Sequence, residues 1–258
     1  MRWTFPARCL NRQPIRSRLI HVSRQGTRAA RKTGRLNRCR TFQVIDSPII
    51  LASRSPRRLE LLSLIVEPAR ILVQPPANSE EPGFDDCRTV TDVERRLLEI
   101  ARSKRVGVRN ELRTGRRNDD AAILAADTTI VAESGSGRMA VLGQPPFEGA
   151  SRPTVRSWFE EFYFAKPHLA MTAVTIESPD RRVAERIVVT TVSFNRARAG
   201  WLDWYLATSE PDGKAGGYAI QGLGSVFVDR IDGSLTNVIG LPLAETRELL
   251  LKLGLIPM

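Results

Sequence analysis

Four stretches of the chain hold polar residues that folding alone does not require. The first is Ser53-Arg54-Ser55-Pro56-Arg57-Arg58, between an apolar run (Ile49 to Ala52) and a leucine-rich one (Leu59 to Val66). Ser55 suits a helix cap and Pro56 the first helical position. A helix start offers free N–H groups, and arginines there sit at the unfavourable end of the dipole. The pattern therefore favours an anion such as phosphate over a solvated cap. The second is Asp127, inside the apolar run 121–132. An unpaired buried carboxylate is very costly, so Asp127 must meet a metal, a cation or a functional proton, with a plain ion pair as the alternative. The third is Lys104, in the apolar register of a helix, where a snorkelling lysine is the ordinary reading. The fourth runs from Glu210 to Gly222, where glycines permit close backbone approach while Lys214 and Gln221 offer a cation and an amide. Taken alone, it is a flexible loop before a hairpin.

These residues need elements to position them. The patterning predicts a strand at 49–52, a tight turn, and a helix beginning at Pro56. A second strand covers 70–74. A helix follows with a capping box from Thr91 to Glu94, its apolar face carrying Val93, Leu97, Ile100 and Ala101. Residues 107–120 read as a polar surface loop, and 121–132 as a buried strand. A Gly- and Pro-rich segment (134–153) leads to an aromatic helix over 154–165, with Val155, Trp158, Phe159 and Phe162 inward. Strands are expected at 168–177 and 185–194, a short helix at 198–208, paired short strands within 218–231, and a last helix at 242–253. Strands mixed with helices throughout indicate a layered α/β fold.

Composition removes other classes. The chain has 258 residues and a net charge of +11, but residues 1–45 hold twelve basic side chains and no acidic one. The remaining 213 residues carry 27 basic and 28 acidic side chains. The charge therefore does not make the whole protein a nucleic-acid binder. It marks a basic extension, 1–45, ahead of a near-neutral domain, 46–258. The extension has the composition of a mitochondrial presequence and equally of a disordered basic arm; a nucleic-acid-binding arm is a less favoured third reading. No run approaches the ~18 apolar residues of a membrane span. Three scattered cysteines exclude a disulfide framework and suit a reducing, cytoplasmic setting. With only His21 and His168, no histidine-based metal site can be built, and His168 reads as structural. No P-loop pattern occurs, which argues against an ATP-hydrolysing switch.

Taken together, the motifs resemble the Maf family of nucleoside triphosphate pyrophosphatases. The stretch Leu51 to Leu62 matches its opening Leu-Ala-Ser-x-Ser-Pro-Arg-Arg and the Glu-Leu-Leu that follows. Ala126-Asp127-Thr128 matches its Ala-Asp-Thr, Lys214 to Gly222 its Lys-Ala-Gly-x-Tyr-x-Ile-Gln-Gly, and Asn237 to Pro242 its closing Asn-Val-x-Gly-Leu-Pro. The resemblance covers residues 48–255. It implies a Maf/inosine-triphosphatase-like α/β fold, a mixed twisted sheet flanked by helices with two lobes around a nucleotide cleft. It implies hydrolysis of a nucleoside triphosphate to the monophosphate and pyrophosphate, a divalent cation (Mg²⁺ or Mn²⁺), a housecleaning role and a homodimer. Position by position it makes Asp127 the catalytic aspartate and Ser53, Arg57, Arg58, Lys104 and Lys214 phosphate-binding residues. Glu80 falls where the family has an Asp-Glu pair, with Ser79 as the first member, and would join Asp127 as a metal ligand. Arg57, Thr128 and Gln221 point to the branch resembling dTTP/UTP pyrophosphatases. One departure stands out: Gly143-Gln144-Pro145 replaces the family's Gly-Lys-Pro, which leaves a weakly active nucleotide-binding regulator as the alternative.

Overall fold

The computed structural model describes residues 47–257, apart from 78–80, 116–119, 147–150, 165 and 196–197. The basic extension 1–45 lies outside the described residues, as do Ser79 and Glu80. A seven-stranded mixed sheet has the order β2-β1-β3-β5-β6-β7, with β4 attached to β3. Its strands are β1 (Ile49–Leu51), β2 (Ile71–Val73), β3 (Ala122–Glu133), β4 (Met139–Leu142), β5 (His168–Glu177), β6 (Val183–Phe194) and β7 (Val228–Asp232). β1 runs parallel to β2 and β3, while the remaining pairs are antiparallel. The helices are α1 (Pro56–Leu62), α2 (Val90–Gly115), α3 (Ser151–Trp158), α4 (Trp201–Leu206), α5 (Leu235–Ile239) and α6 (Leu243–Leu253).

Alternation along β3 assigns its two faces. Ala122, Leu124 and Ala126 join a core with α1 and α6, and Ile130 and Ala132 join a second core with α3, α4 and the turn Phe159–Tyr163. The opposite face sends Ile123, Ala125 and Val131 toward α2. Phe159 sits at the centre of the second core, with ring centroids of Tyr163, Phe194, Tyr205 and Phe227 within 5.7 Å.

α2 differs most from expectation. Its N-terminal box is Thr89 with Asp92, two residues earlier than Thr91 with Glu94. Thr89 Oγ1 accepts from Asp92 N at 3.1 Å, and Asp92 Oδ2 accepts from Thr89 N at 3.0 Å. The helix also continues to Gly115 through what reads as a polar loop. Gly107 costs a helix roughly 1 kcal/mol relative to Ala, but Val108 and Leu112 are buried and keep the apolar stripe going. Two arginines fasten this part to the sheet: Arg105 Nη1 bonds Glu177, and Arg109 Nε reaches Glu177 Oε1 at 2.9 Å. Arg102 adds a fork onto Glu185 of β6, at 2.9 Å from Nε and 2.6 Å from Nη2.

The paired short strands expected over 218–231 reduce to β7 alone. The Glu210 carboxylate takes the N–H groups of Leu223 and Gly224, each at 2.7 Å, so this segment turns through Leu223–Phe227 rather than entering a ladder. The helix α5, capped by Ser234, has no counterpart in the sequence reading.

Candidate active site

The pairing along β3 leaves a gap. β1 pairs with Ala122 to Leu124, and β4 with Ile130 to Glu133. Between them, residues 125–129 have a sheet partner on the β5 side only. Asp127 and Thr128 lie in this gap and point to opposite faces of the sheet, yet both line one cavity of about 810 Å³. A missing neighbour strand is what lets side chains of both faces reach a common space. The volume suits a nucleotide-sized ligand.

All the predicted site residues within the described chain line this cavity: Ser53, Arg57, Arg58, Lys104, Asp127, Thr128, Lys214 and Gln221. The strand–turn–helix around Ser55 forms as expected, with Ser55 Oγ accepting from Arg58 N at 3.4 Å. Yet α1 has only seven residues, so side chains supply most of the positive field here rather than a long helix dipole. Glu80 lies outside the described residues. The sequence reading missed Glu81 as a site residue, although it adjoins Glu80. Glu81 and Asp127 both bond Lys104 Nζ, at 2.8 and 2.5 Å. The cation that Asp127 must meet is therefore Lys104, and both groups are mostly buried.

Among the described residues, five basic side chains (Arg54, Arg57, Arg58, Lys104, Lys214) line the cavity against two carboxylates (Glu81, Asp127). Burial pulls the Lys214 ammonium below its ordinary value, the neighbouring charge of Arg57 adds to that, and Glu210 and Asp212 oppose it. Burial likewise works against the charge on Arg57, opposed by Glu60. Crowded, partly desolvated cations make a place where an anion is stabilised. Gln144 also lines the cavity, at the position where a lysine is expected from the resemblance.

The loop that presents Lys214 and Gln221 is built on glycine. Gly216 has φ +74°, and a Cβ there would stand 2.6 Å from both Ile130 Cγ1 and Tyr163 Oη. Tyr163 Oη donates to Gly216 O at 2.9 Å, and Tyr205 Oη to Gly217 O at 3.2 Å. Tyr218 Oη meets His168 Nε2 at 2.9 Å. His168 is structural as expected, and burial lowers its pKa to about 3. Below pH 6.5 the unfolded chain takes up a proton that the folded chain refuses until about pH 3. Stability should therefore fall through that window, by up to ~1.4 kcal/mol per pH unit. Urea denaturation at successive pH values checks this, with the slope from this residue lost in His168→Gln.

A family model described as Maf-like protein matches residues 48–253. The chain belongs to the Maf family. Its relatives include the dTTP/UTP pyrophosphatase of Hyphomonas neptunium, 35% identical over 211 residues, which span 81% of this chain and 97% of that protein. That of Anaeromyxobacter sp. is 37% identical over 213 residues, 80% of this chain and 89% of the relative. A solved dITP/XTP pyrophosphatase from Mycobacterium abscessus superposes at a TM-score of 0.34 with 15% identity, covering 60% of this chain and 78% of that one, too slight a likeness to add to the family match. The Maf motifs of this chain thus converge on one cavity. Among the described residues no helix is long and apolar enough to cross a membrane.

Proposed function

We propose that this Maf protein hydrolyses nucleoside triphosphates, dTTP and UTP foremost, to the monophosphate and pyrophosphate. The observation that carries the reading is the cavity itself: five cations around a paired Asp127 in a chain whose relatives bear the name dTTP/UTP pyrophosphatase. A triphosphate brings about four negative charges, which Arg57 and Lys214 offset in part, Lys104 being paired with Glu81 and Asp127. Water attacks the α-phosphorus, its oxygen bonds to that phosphorus, and the α–β bridging bond breaks so that the electron pair leaves with pyrophosphate. Asp127 Oδ1 is engaged by Lys104. Its Oδ2 is left to accept the proton of the attacking water. Gln221 and Thr128 are the residues assigned to recognition of the base.

The donor set fits a hard divalent cation. Glu81 Oε1 and Asp127 Oδ1 converge on one cation, the Lys104 ammonium, and Mg²⁺ is commonly held by one or two carboxylates with substrate phosphates completing the shell, so a metal between these oxygens would take the place of that ammonium. Asp127 and Glu81 would hold Mg²⁺ or Mn²⁺, which supplies charge neutralisation on the phosphates when bound.

A substrate panel tests the reading. Pyrophosphate release should be fastest with UTP and dTTP and slower by about tenfold or more with ATP and GTP, in Mg²⁺ or Mn²⁺. Equal turnover of purines and pyrimidines would remove the assignment of the base preference, and no turnover of any nucleotide would remove the hydrolytic one.

A further inference from the structure

Arg58 lines the cavity, yet its guanidinium is committed to the protein on three sides. Nε donates to Gly240 O at 3.0 Å, Nη1 to Ser53 Oγ at 3.2 Å and Nη2 to Thr128 Oγ1 at 3.1 Å. These bonds have a consequence for the two hydroxyls. A serine hydroxyl has one proton and two lone pairs. Ser53 Oγ accepts from Arg58 Nη1 and also from Ser55 N at 3.1 Å, so both lone pairs are taken. Its proton is the remaining capacity, and no acceptor for it exists among the described residues. Ser53 is only 6% exposed, and it lines the cavity. Its O–H is therefore a buried, unpaired donor at the cavity wall.

Thr128 is driven the other way. Its Oγ1 accepts from Arg58 and lies 2.9 Å from Thr172 Oγ1. Thr172 Oγ1 also stands 3.2 Å from Asn237 O, a carbonyl that can only accept. The Thr128 proton thus goes to Thr172 Oγ1 at 2.9 Å or to Gly240 O at 3.4 Å, in either case to a protein acceptor rather than to a ligand. One arginine, a pure donor, takes a lone pair on each of the two hydroxyls.

Building on the nucleotide reading above, we infer that Arg58 is a positioning residue that acts on a bound phosphate through Ser53, whose hydroxyl is the donor to the phosphate oxygen. The resemblance alone groups Arg58 with the phosphate ligands. The geometry divides the labour differently, with Arg57 and Lys214 carrying the charge and Arg58 aiming a neutral donor.

Two measurements test this. In a crystal structure of the wild-type protein with α,β-methylene-UTP, Ser53 Oγ should lie within hydrogen-bond distance of a phosphate oxygen while Arg58 keeps Ser53, Thr128 and Gly240. A guanidinium that has left Ser53 for the phosphate overturns the inference. In a binding cycle by calorimetry, Ser53→Ala and Arg58→Lys should each weaken the analogue about tenfold, and the double variant by no more than about twofold beyond either. A loss of about a hundredfold in the double variant would mean independent contacts and overturn it as well. Should Arg58→Lys fail to fold, the wild-type complex still decides. Failure of the parent reading looks different: protein that seats the analogue on Ser53 but never turns over UTP refutes hydrolysis and upholds the division of labour. An analogue absent from the cavity refutes both.

Discussion

Asp127→Asn is expected to abolish pyrophosphate release from UTP and dTTP, by roughly 10²–10⁴-fold or more, while leaving the fold intact. Asn keeps the shape of the side chain and one oxygen for Lys104, so the cavity wall at the gap in β3 should survive. What is lost is the negative charge and the basic oxygen that takes the proton. Asp127 lies in the middle of β3, flanked by residues paired to β5, and the register Asp127 with Ala173 does not depend on its side chain. Lys104 retains Glu81 at 2.8 Å, so the substitution does not leave a buried cation alone. Circular dichroism and thermal melts should overlay those of the wild type, with turnover at the background rate. Undiminished turnover in a folded variant would remove Asp127 from the mechanism.

The second large effect concerns stability. Glu177→Gln is expected to cost about 3–5 kcal/mol, as is usual when one partner of a buried ionic cluster is removed. Glu177 is 7% exposed and bonds Arg105, Arg109 and Arg181. Arg105 and Arg109 are themselves buried, and the neutral amide would take from both the carboxylate they share. The midpoint of thermal unfolding should fall by about 10 °C for a domain of this size. Arg181→Gln, whose side chain is 41% exposed, serves as the comparison and should cost less than about 1 kcal/mol. A loss of similar small size for Glu177→Gln would mean that water reaches the cluster. Because Arg105 follows Lys104 directly, the same cluster fixes the rotation of α2 that turns Lys104 toward Asp127.

Much of the site was legible in the sequence because its parts are local. Ser53 to Arg58 is a strand end, a cap and a helix start, each set by neighbouring residues. Asp127 stands out because a carboxylate in an apolar run demands a partner. Lys104 was visible as a cation in an apolar register, but which group it would meet depends on the packing of α2 on β3, 23 residues away in sequence. The gap in the pairing of β3 was not visible at all. It arises because β1 is short and β4 ends at Leu142, opposite Ile130, and neither length is encoded within β3. The continuation of α2 beyond Gly107 was hidden for a related reason. Arg109 reads as polar surface until Glu177, distant in sequence, is known to pair with it. Glu80 is the position the resemblance supplies, and Glu81, its neighbour in an irregular segment, carries no pattern of its own that would mark it.

The bond from Arg58 to Gly240 O spans 182 residues. Ser53 and Thr128 take their orientation from that arginine, and Asn237, three residues before Gly240, receives the end of the hydroxyl chain. During synthesis, the first motif leaves the ribosome long before its tether exists. A nascent chain that has already paired β3, β5 and β6 would hold Arg57, Arg58 and Lys104 and still await Lys214 and the Gly240 carbonyl. The ordering of the first motif is therefore deferred until α5, which ends beside Gly240, is in place.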